Sequence, residues 1–518
     1  VIVAAPPVVR WRWWRGIRLG LAAAAFVPVP LFGGKAAHPA TAVAGQVTPT
    51  GTAAAFGAPG ARGGPMPGDP SRRARYEWEP QVAEGPGGVL WAVGDSCGEI
   101  VQEGLCQLDM ADLPRQPDAV MLWRSTDGGR QWQFVADPMR LPGGLADRPA
   151  GYDVDVAVSP PERPGRAALL SVVANWGGST ELAVSADNGR NWVTSLLDGF
   201  VGTGRPWLAA VGPCQLAVAF DPLTGDTAET ASVPLVARYD VCSFLAGALV
   251  GQGVAVPESV TTVEPATDEV TRTDDVFSKL RAIGADLYEA MVVCDSSSLL
   301  DLTTLADPSC DGPGDRQTVQ VAESTDGGRR FHDVVVATGT FRIDLADGTW
   351  PLSFAVDRHG LAVLVADTGF TILTFVSHDG ARTWQQVPSV ADPLHWGLAG
   401  VPSAAVAGDT YAVGWYASPP APAGQRQAWY LATAVGQGSR PPTVRVLPTE
   451  LATTNPGQPL LDTLSESFGA ALVAHHAVFV FVESCSDNPP AAAACPEPPT
   501  GLGRQLVVRW AWLPPPQA

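Results

Sequence analysis

The sequence predicts an all-β protein assembled from internal repeats, and three observations predict it. One eight-residue pattern, S-x-D-x-G-x-x-W, occurs in four copies: Ser125 to Trp132, Ser185 to Trp192, Ser324 to Phe331 and Ser377 to Trp384. Apolar runs such as Val89 to Val93, Leu361 to Val365, Val478 to Val482 and Leu506 to Trp510 have the length and β-branched character of strands in packed sheets. Helical signals are sparse, limited to short helices or turns at Phe277 to Ile283 and Leu299 to Leu305, neither long enough to found a helical domain.

From the N-terminus, residues 1–44 read as an export signal. Arg10, Arg12, Arg15 and Arg18 precede an apolar run from Leu19 to Phe32, and small residues end at Ala42-Val43-Ala44. The run is shorter than the roughly 20 residues that span a bilayer, and Pro28 and Pro30 interrupt it. Residues 45–75, rich in Gly, Pro and Ala, read as a flexible tether because they offer little apolar surface to bury. The repeats occupy residues 76–518. This order places the protein outside the cytoplasm, secreted or on the cell surface, with membrane attachment only through an uncleaved signal.

In each repeat copy the polar Asp and a Gly able to take positive φ make a tight turn, and the aromatic starts the next strand. The turn residues are Asp127 and Trp132, Asp187 and Trp192, Asp326 and Phe331, and Asp379 and Trp384. Ala381 replaces the Gly of the fourth copy, so distortion of that turn is expected. The pattern resembles the Asp box, or BNR repeat, of the sialidase superfamily, whose members fold as β-propellers. The resemblance implies that these residues hold turns away from the active face and do no chemistry.

The copies start 60, 139 and 53 residues apart, and 141 residues follow Ser377. The long middle interval fits two repeats with one box lost, and the tail holds two more, a sum of seven. Small polar or aromatic openings agree: Glu79-Pro-Gln-Val-Ala, Asp153-Val-Asp-Val-Ala-Val, Arg205-Pro-Trp-Leu-Ala and Trp350-Pro-Leu-Ser-Phe-Ala-Val, with weaker ones near Asp275, Trp396 and Ser467. Seven four-stranded blades are favoured and six remain open, since the sialidases have six. Ring closure is expected to pair the last strand, Gln505 to Trp512, with an early one.

Eight cysteines fall as four close pairs: Cys97 with Cys106, Cys214 with Cys242, Cys294 with Cys310, and Cys485 with Cys495. Many connectivities exist for eight, and sequential pairing within each repeat suits an exported chain in an oxidising compartment. Three of the pairs follow a β-rich run and are expected to brace loops on the face opposite the boxes. Removing residues 1–44 takes away five cations and no acid, moving the net charge from −19 to −24. Such a field argues against nucleic acid and anionic membranes as partners. The partners expected are a glycan or an extracellular protein, for a monomeric chain.

Sialidases use a Tyr nucleophile backed by Glu, an Asp acid and three arginines that bind the substrate carboxylate, and arginine suits that bidentate role. Their Phe/Tyr-Arg-Ile-Pro motif is missing before the first box; Phe341-Arg342-Ile343-Asp344 lies after the third and lacks the proline. The resemblance places a nucleophile among Tyr411, Tyr416 and Tyr430, of which Tyr416 is the candidate. The paired Asp153 and Asp155 are candidates for acid and base. Because inner strands of a propeller start near the axis, Glu79, Arg205, Trp207, Trp350, Trp396 and Glu466 are the candidates for lining a ligand funnel. Trp faces stack on sugar C–H surfaces and carboxylates accept hydroxyl hydrogen bonds, a set better matched to a neutral or basic glycan than to sialic acid. No metal or cofactor is expected: His475 and His476 lack a third ligand, and no phosphate-binding or nucleophile-elbow motif occurs. The sequence leaves carbohydrate recognition with and without sialidase-like hydrolysis open, beside a non-catalytic protein-interaction scaffold.

Overall fold

In the computed structural model, the chain folds as a seven-bladed β-propeller. The residues described are 62–66, 76–97, 101–102, 105–106, 119–139, 153–163, 166–176, 179–197, 206–220, 234–247, 254–255, 257–263, 279–295, 316–339, 351–388, 390, 398–422, 425–437, 442–447, 450–454, 464, 467–484 and 506–513. All belong to one unit, Pro49–Ala518. The signal expected over residues 1–44 lies outside them.

Each blade is an antiparallel meander running from the axis outward. Blade 1 comprises Tyr76–Gly85, Val89–Cys97, Ala119–Ser125 and Gln133–Ala136; blade 2, Asp155–Ser159, Leu169–Trp176, Ser179–Ser185 and Val193–Leu197. Blade 3 comprises Trp207–Ala210, Gln215–Phe220, Leu235–Asp240 and Ser259–Thr262; blade 4, Arg281–Ile283, Asp286–Asp295, Arg316–Ser324 and His332–Gly339. Blade 5 comprises Leu352–Val356, Ala362–Asp367, Ile372–Ser377 and Gln385–Val387; blade 6, Leu398–Ala407, Thr410–Ser418, Gln427–Gln437 and Thr443–Val446. Blade 7 takes Gly469–Val473, His476–Ser484 and Leu506–Leu513 from the C-terminal part of the chain and its outer strand, Arg62–Pro65, from the N-terminal part, in the register Arg62 to Trp512 and Pro65 to Arg509. Met66 continues the closure, its N–H bonding to the Val508 carbonyl at 2.9 Å and its side chain buried. Part of the segment expected as a tether is therefore the closing strand of the ring.

Strand runs that lack strict polar alternation are explained by burial on both faces. Seven hydrophobic clusters fill the seven blade-to-blade interfaces, one each. On the second strand of blade 3, Leu216 and Val218 face blade 2, whereas Ala217 and Ala219 face blade 4.

The four S-x-D-x-G turns share one hydrogen-bond pattern. In the first, Ser125 Oγ donates to Asp127 Oδ1 (2.9 Å) and accepts from Gly129 N–H (2.8 Å), while Asp127 Oδ1 accepts from Arg130 and Gln131 N–H at 3.0 and 2.9 Å. The fourth keeps the pattern, with Ala381 N–H on Ser377 Oγ at 3.0 Å. No distortion follows from the alanine, which takes φ +68° and buries its methyl in the blade 4–5 core.

Blade 3, which lacks this turn, is finished differently. After its third strand a short helix, Val241–Gly247, starts under Asp240, whose carboxylate accepts from the N–H groups of Cys242 and Ser243, both at 3.0 Å. Cys242 is bonded to Cys214 in the turn between the first two strands, Cα atoms 5.1 Å apart. The pairings Cys97–Cys106, Cys294–Cys310 and Cys485–Cys495 rest on side chains outside the described residues. The helix expected at Phe277 to Ile283 is not formed, since Arg281–Ile283 is the inner strand of blade 4; that expected at Leu299 to Leu305 lies outside the described residues.

Candidate functional site at the axis

The seven inner strands meet the axis in a repeated triplet. Its first position holds Gln81, Asp155, Trp207, Lys279, Ser353, Ser403 and Gly469 in blades 1 to 7. Two inter-blade hydrogen bonds fix the alignment: Leu208 N–H donates to Asp155 Oδ2 at 2.8 Å, and Ala404 N–H to Ser353 Oγ at 3.0 Å. Each is a main-chain group of one inner strand captured by a side chain of the blade before. Gly469 is glycine because a Cβ there would lie 2.6 Å from the Val82 nitrogen. Its blade supplies Ser467 instead, which accepts a hydrogen bond from Gln81 Nε2 at 3.1 Å.

Two residues ahead of the first position, Glu79, Asp153 and Val401 take φ of +47°, +60° and +54°. Left-handed backbone at non-glycine residues is strained. In blades 1 and 6 it coincides with a shift of strand register, between Trp78 and Gln81 and between Gly400 and Ser403. The Val401 bulge is held by the preceding blade, its N–H donating to Asp367 Oδ2 at 3.0 Å.

Blade 4 contributes the cations. Lys279 forms a buried ion pair with Asp155, which also accepts from Val156 N–H at 2.8 Å. Arg281 reaches the other way, donating through Nε to the Phe354 carbonyl (2.8 Å) and through Nη2 to the Ala404 carbonyl (3.4 Å). One inner strand thus ties blade 4 to blades 2, 5 and 6. Burial lowers the Arg281 pKa, against which the Asp155 charge acts.

The sequence candidates separate accordingly. Asp155 is wholly buried and both of its oxygens are engaged, so it is a structural hub and not a free acid or base. Asp153 is partly exposed. Glu79 and Trp207 are buried, Trp207 beside the axis. Arg205, Trp350, Trp396 and Glu466 lie outside the described residues. Tyr416 does not line the funnel. It is buried between blades 6 and 7, its ring 5.1 Å from Phe468 and its hydroxyl accepting from Val482 N–H at 3.2 Å. Burial raises its pKa, so a packing role replaces the nucleophile expected there.

No protein-family model matches this sequence, and no curated protein matches it either. Solved structures do. They include an α-L-arabinofuranosidase from Fusarium graminearum, 13% identical over 74% of this chain and 97% of that one, with a TM-score of 0.42. The phage phi92 endosialidase is 8% identical over 88% and 70%, TM-score 0.41. The Aleuria aurantia lectin, in complex with α-methyl-L-fucoside, is 10% identical over 72% and 97%, TM-score 0.36. The likeness is one of fold and assigns no role to any residue of the ring.

Sequence reasoning missed three features. Lys279 and Arg281 were hidden by the helical reading of their segment, although the triplet pattern Gln-Val-Ala, Asp-Val-Ala, Trp-Leu-Ala would have placed Lys279-Leu280-Arg281 as its fourth copy. Phe370 carried no signal. It is 69% exposed at the tip of the hairpin joining the second and third strands of blade 5, on the face where the inner strands start. That hairpin is stiff: Thr371 N–H bonds to Thr368 Oγ1, Gly369 N–H to Asp367 Oδ1, and Ala399 N–H of blade 6 to the Gly369 carbonyl.

Proposed function

We propose that the face on which the inner strands start recognises a carbohydrate, in an exported member of the sialidase superfamily whose S-x-D-x-G turns are Asp boxes. The observation that carries this reading is Phe370, 69% exposed on the stiff blade 5 hairpin of that face. Its ring can stack on sugar C–H surfaces, and the partly exposed Asp153 adds a carboxylate of the type that accepts from sugar hydroxyls, while Gln81, Trp207, Ser353, Ser403 and Ser467 are buried beneath that face. The disulfide in blade 3 supports an oxidising compartment, and among the described residues no helix is long and apolar enough to cross a membrane.

Recognition is favoured over hydrolysis because the engaged Asp155 and the buried Tyr416 leave Asp153 as the one partly exposed catalytic candidate among the described residues. The test is a glycan array and a panel of fluorogenic glycosides, sialosides and arabinosides included, on the full chain with Phe370→Ala and Asp153→Asn. Glycan binding weakened by Phe370→Ala is the expected result. Turnover lost in Asp153→Asn with binding retained would make the protein a glycosidase. A chain that binds no glycan and turns over none overturns the reading in favour of the scaffold, which the exposed Val260 and Val335 on outer strands of blades 3 and 4 suit.

A further inference from the structure

One residue breaks the regularity of the axis. The third position of the triplet is alanine in six blades, Ala83, Ala157, Ala209, Ala355, Ala405 and Ala471, and arginine in blade 4, Arg281. The inner strands enclose a cavity of about 240 Å³, and their apolar side chains, Val82, Val156, Leu208 and Leu280 among them, belong to the blade-to-blade cores. Among the described residues that line it, Glu84 is the one acid beside the two cations Lys279 and Arg281.

The guanidinium presents five N–H donors, and among the described residues its two hydrogen bonds go to neutral carbonyl oxygens. The carboxylate that acts on it, Asp155, is already paired with Lys279 and accepts two main-chain amides. Within this group of three, Asp155 and Lys279 neutralise each other and the charge of Arg281 is left over. Arg281 is half-buried at the cavity wall, with donors left for a further acceptor. Glu84 of blade 1 lines the same cavity and is exposed, so solvent screens its charge.

We propose that the axial cavity binds a small inorganic anion, a halide or an oxyanion of similar size, on the guanidinium of Arg281. Size sets the class. On the funnel side of Arg281 the space bounded by Gln81, Trp207, Ser353, Ser403 and Phe468 is about 20 Å³, on the order of a single water, so a sugar on the outer face does not reach the guanidinium. The site is thus separate from the proposed carbohydrate surface, in a chain of net charge −19. A guanidinium in contact with an anion outweighs the more distant acidic surface because Coulomb energy falls with distance.

Crystals of the full chain soaked in sodium bromide test this directly. An anomalous peak within hydrogen-bonding distance of an Arg281 Nη atom is expected. In parallel, thermal unfolding in bromide should show a saturable rise of a few degrees over sodium gluconate at equal ionic strength. Arg281→Ala, which completes the ring of alanines, and Arg281→Gln, which keeps a donor toward the carbonyls, should both abolish that difference. Absence of a peak at Arg281 in the wild-type crystal, or an undiminished bromide effect in either variant that folds, overturns the proposal.

Discussion

Asp155 links two neighbouring blades and a third across the axis through one carboxylate, so its replacement removes several interactions together. Asp155→Ala leaves Lys279 buried without its ion pair and the Leu208 amide without its acceptor. A loss of about 3–5 kcal/mol is expected, read as a lower denaturant midpoint. Glu289 behaves in the opposite sense. It is fully buried on the blade 4 strand facing blade 3, and neither carboxyl oxygen has a hydrogen-bond partner among the described residues. Burial pushes its pKa well above 4.5, so the folded protein holds a proton that the unfolded chain releases. Its contribution therefore becomes less favourable as pH rises from 4.5 toward the folded-state pKa. Glu289→Gln should be more stable than the wild type at neutral pH, with the gap closing at low pH; a gap independent of pH would show that Glu289 is ionised in the fold.

At the scale of the element, the shared turn tolerates a methyl in one copy and excludes it in another. Ala381 packs its methyl into a core, whereas a Cβ on Gly129, the same turn position, would lie 2.6 Å from Val478 of blade 7 at φ +88°. Gly129→Ala is expected to cost about 1–3 kcal/mol by thermal or chemical unfolding. These turns were legible because their chemistry is local: a Ser, an Asp and the amides within five residues complete it. Blade number was legible for the related reason that each blade starts with a similar short string. The helix after Asp240 was not legible, since seven residues carry too little periodicity to distinguish a helix from a turn. It is held by the disulfide to Cys214, and replacing both cysteines with serine should cost about 2–4 kcal/mol, lost on reduction in the wild type as well.

For the molecule as a whole, stability depends on closing the ring. Removing residues 1–66 uncovers the edge of Leu506–Leu513, while removing 1–44 leaves Arg62–Pro65 in place. The longer deletion should unfold at lower temperature and associate with rising concentration in light scattering, and the shorter should do neither. The closing strand was illegible because Arg62-Gly63-Gly64-Pro65 has no apolar alternation; its conformation is imposed by the open edge it meets. The axial cations were illegible for a similar reason. Lys279 and Arg281 acquire meaning only when seven strands are set side by side and the seventh member of an alanine ring is seen to be charged.

The closing strand also sets an order of events in time. Arg62 pairs with Trp512, so a segment made before any blade waits for a partner made after nearly all of them. Throughout synthesis the growing chain holds partial blades whose ring has not closed, and the last strand to emerge converts them together. A ribosome stalled before residue 506 would release a protein with most of its blades and no closed circle.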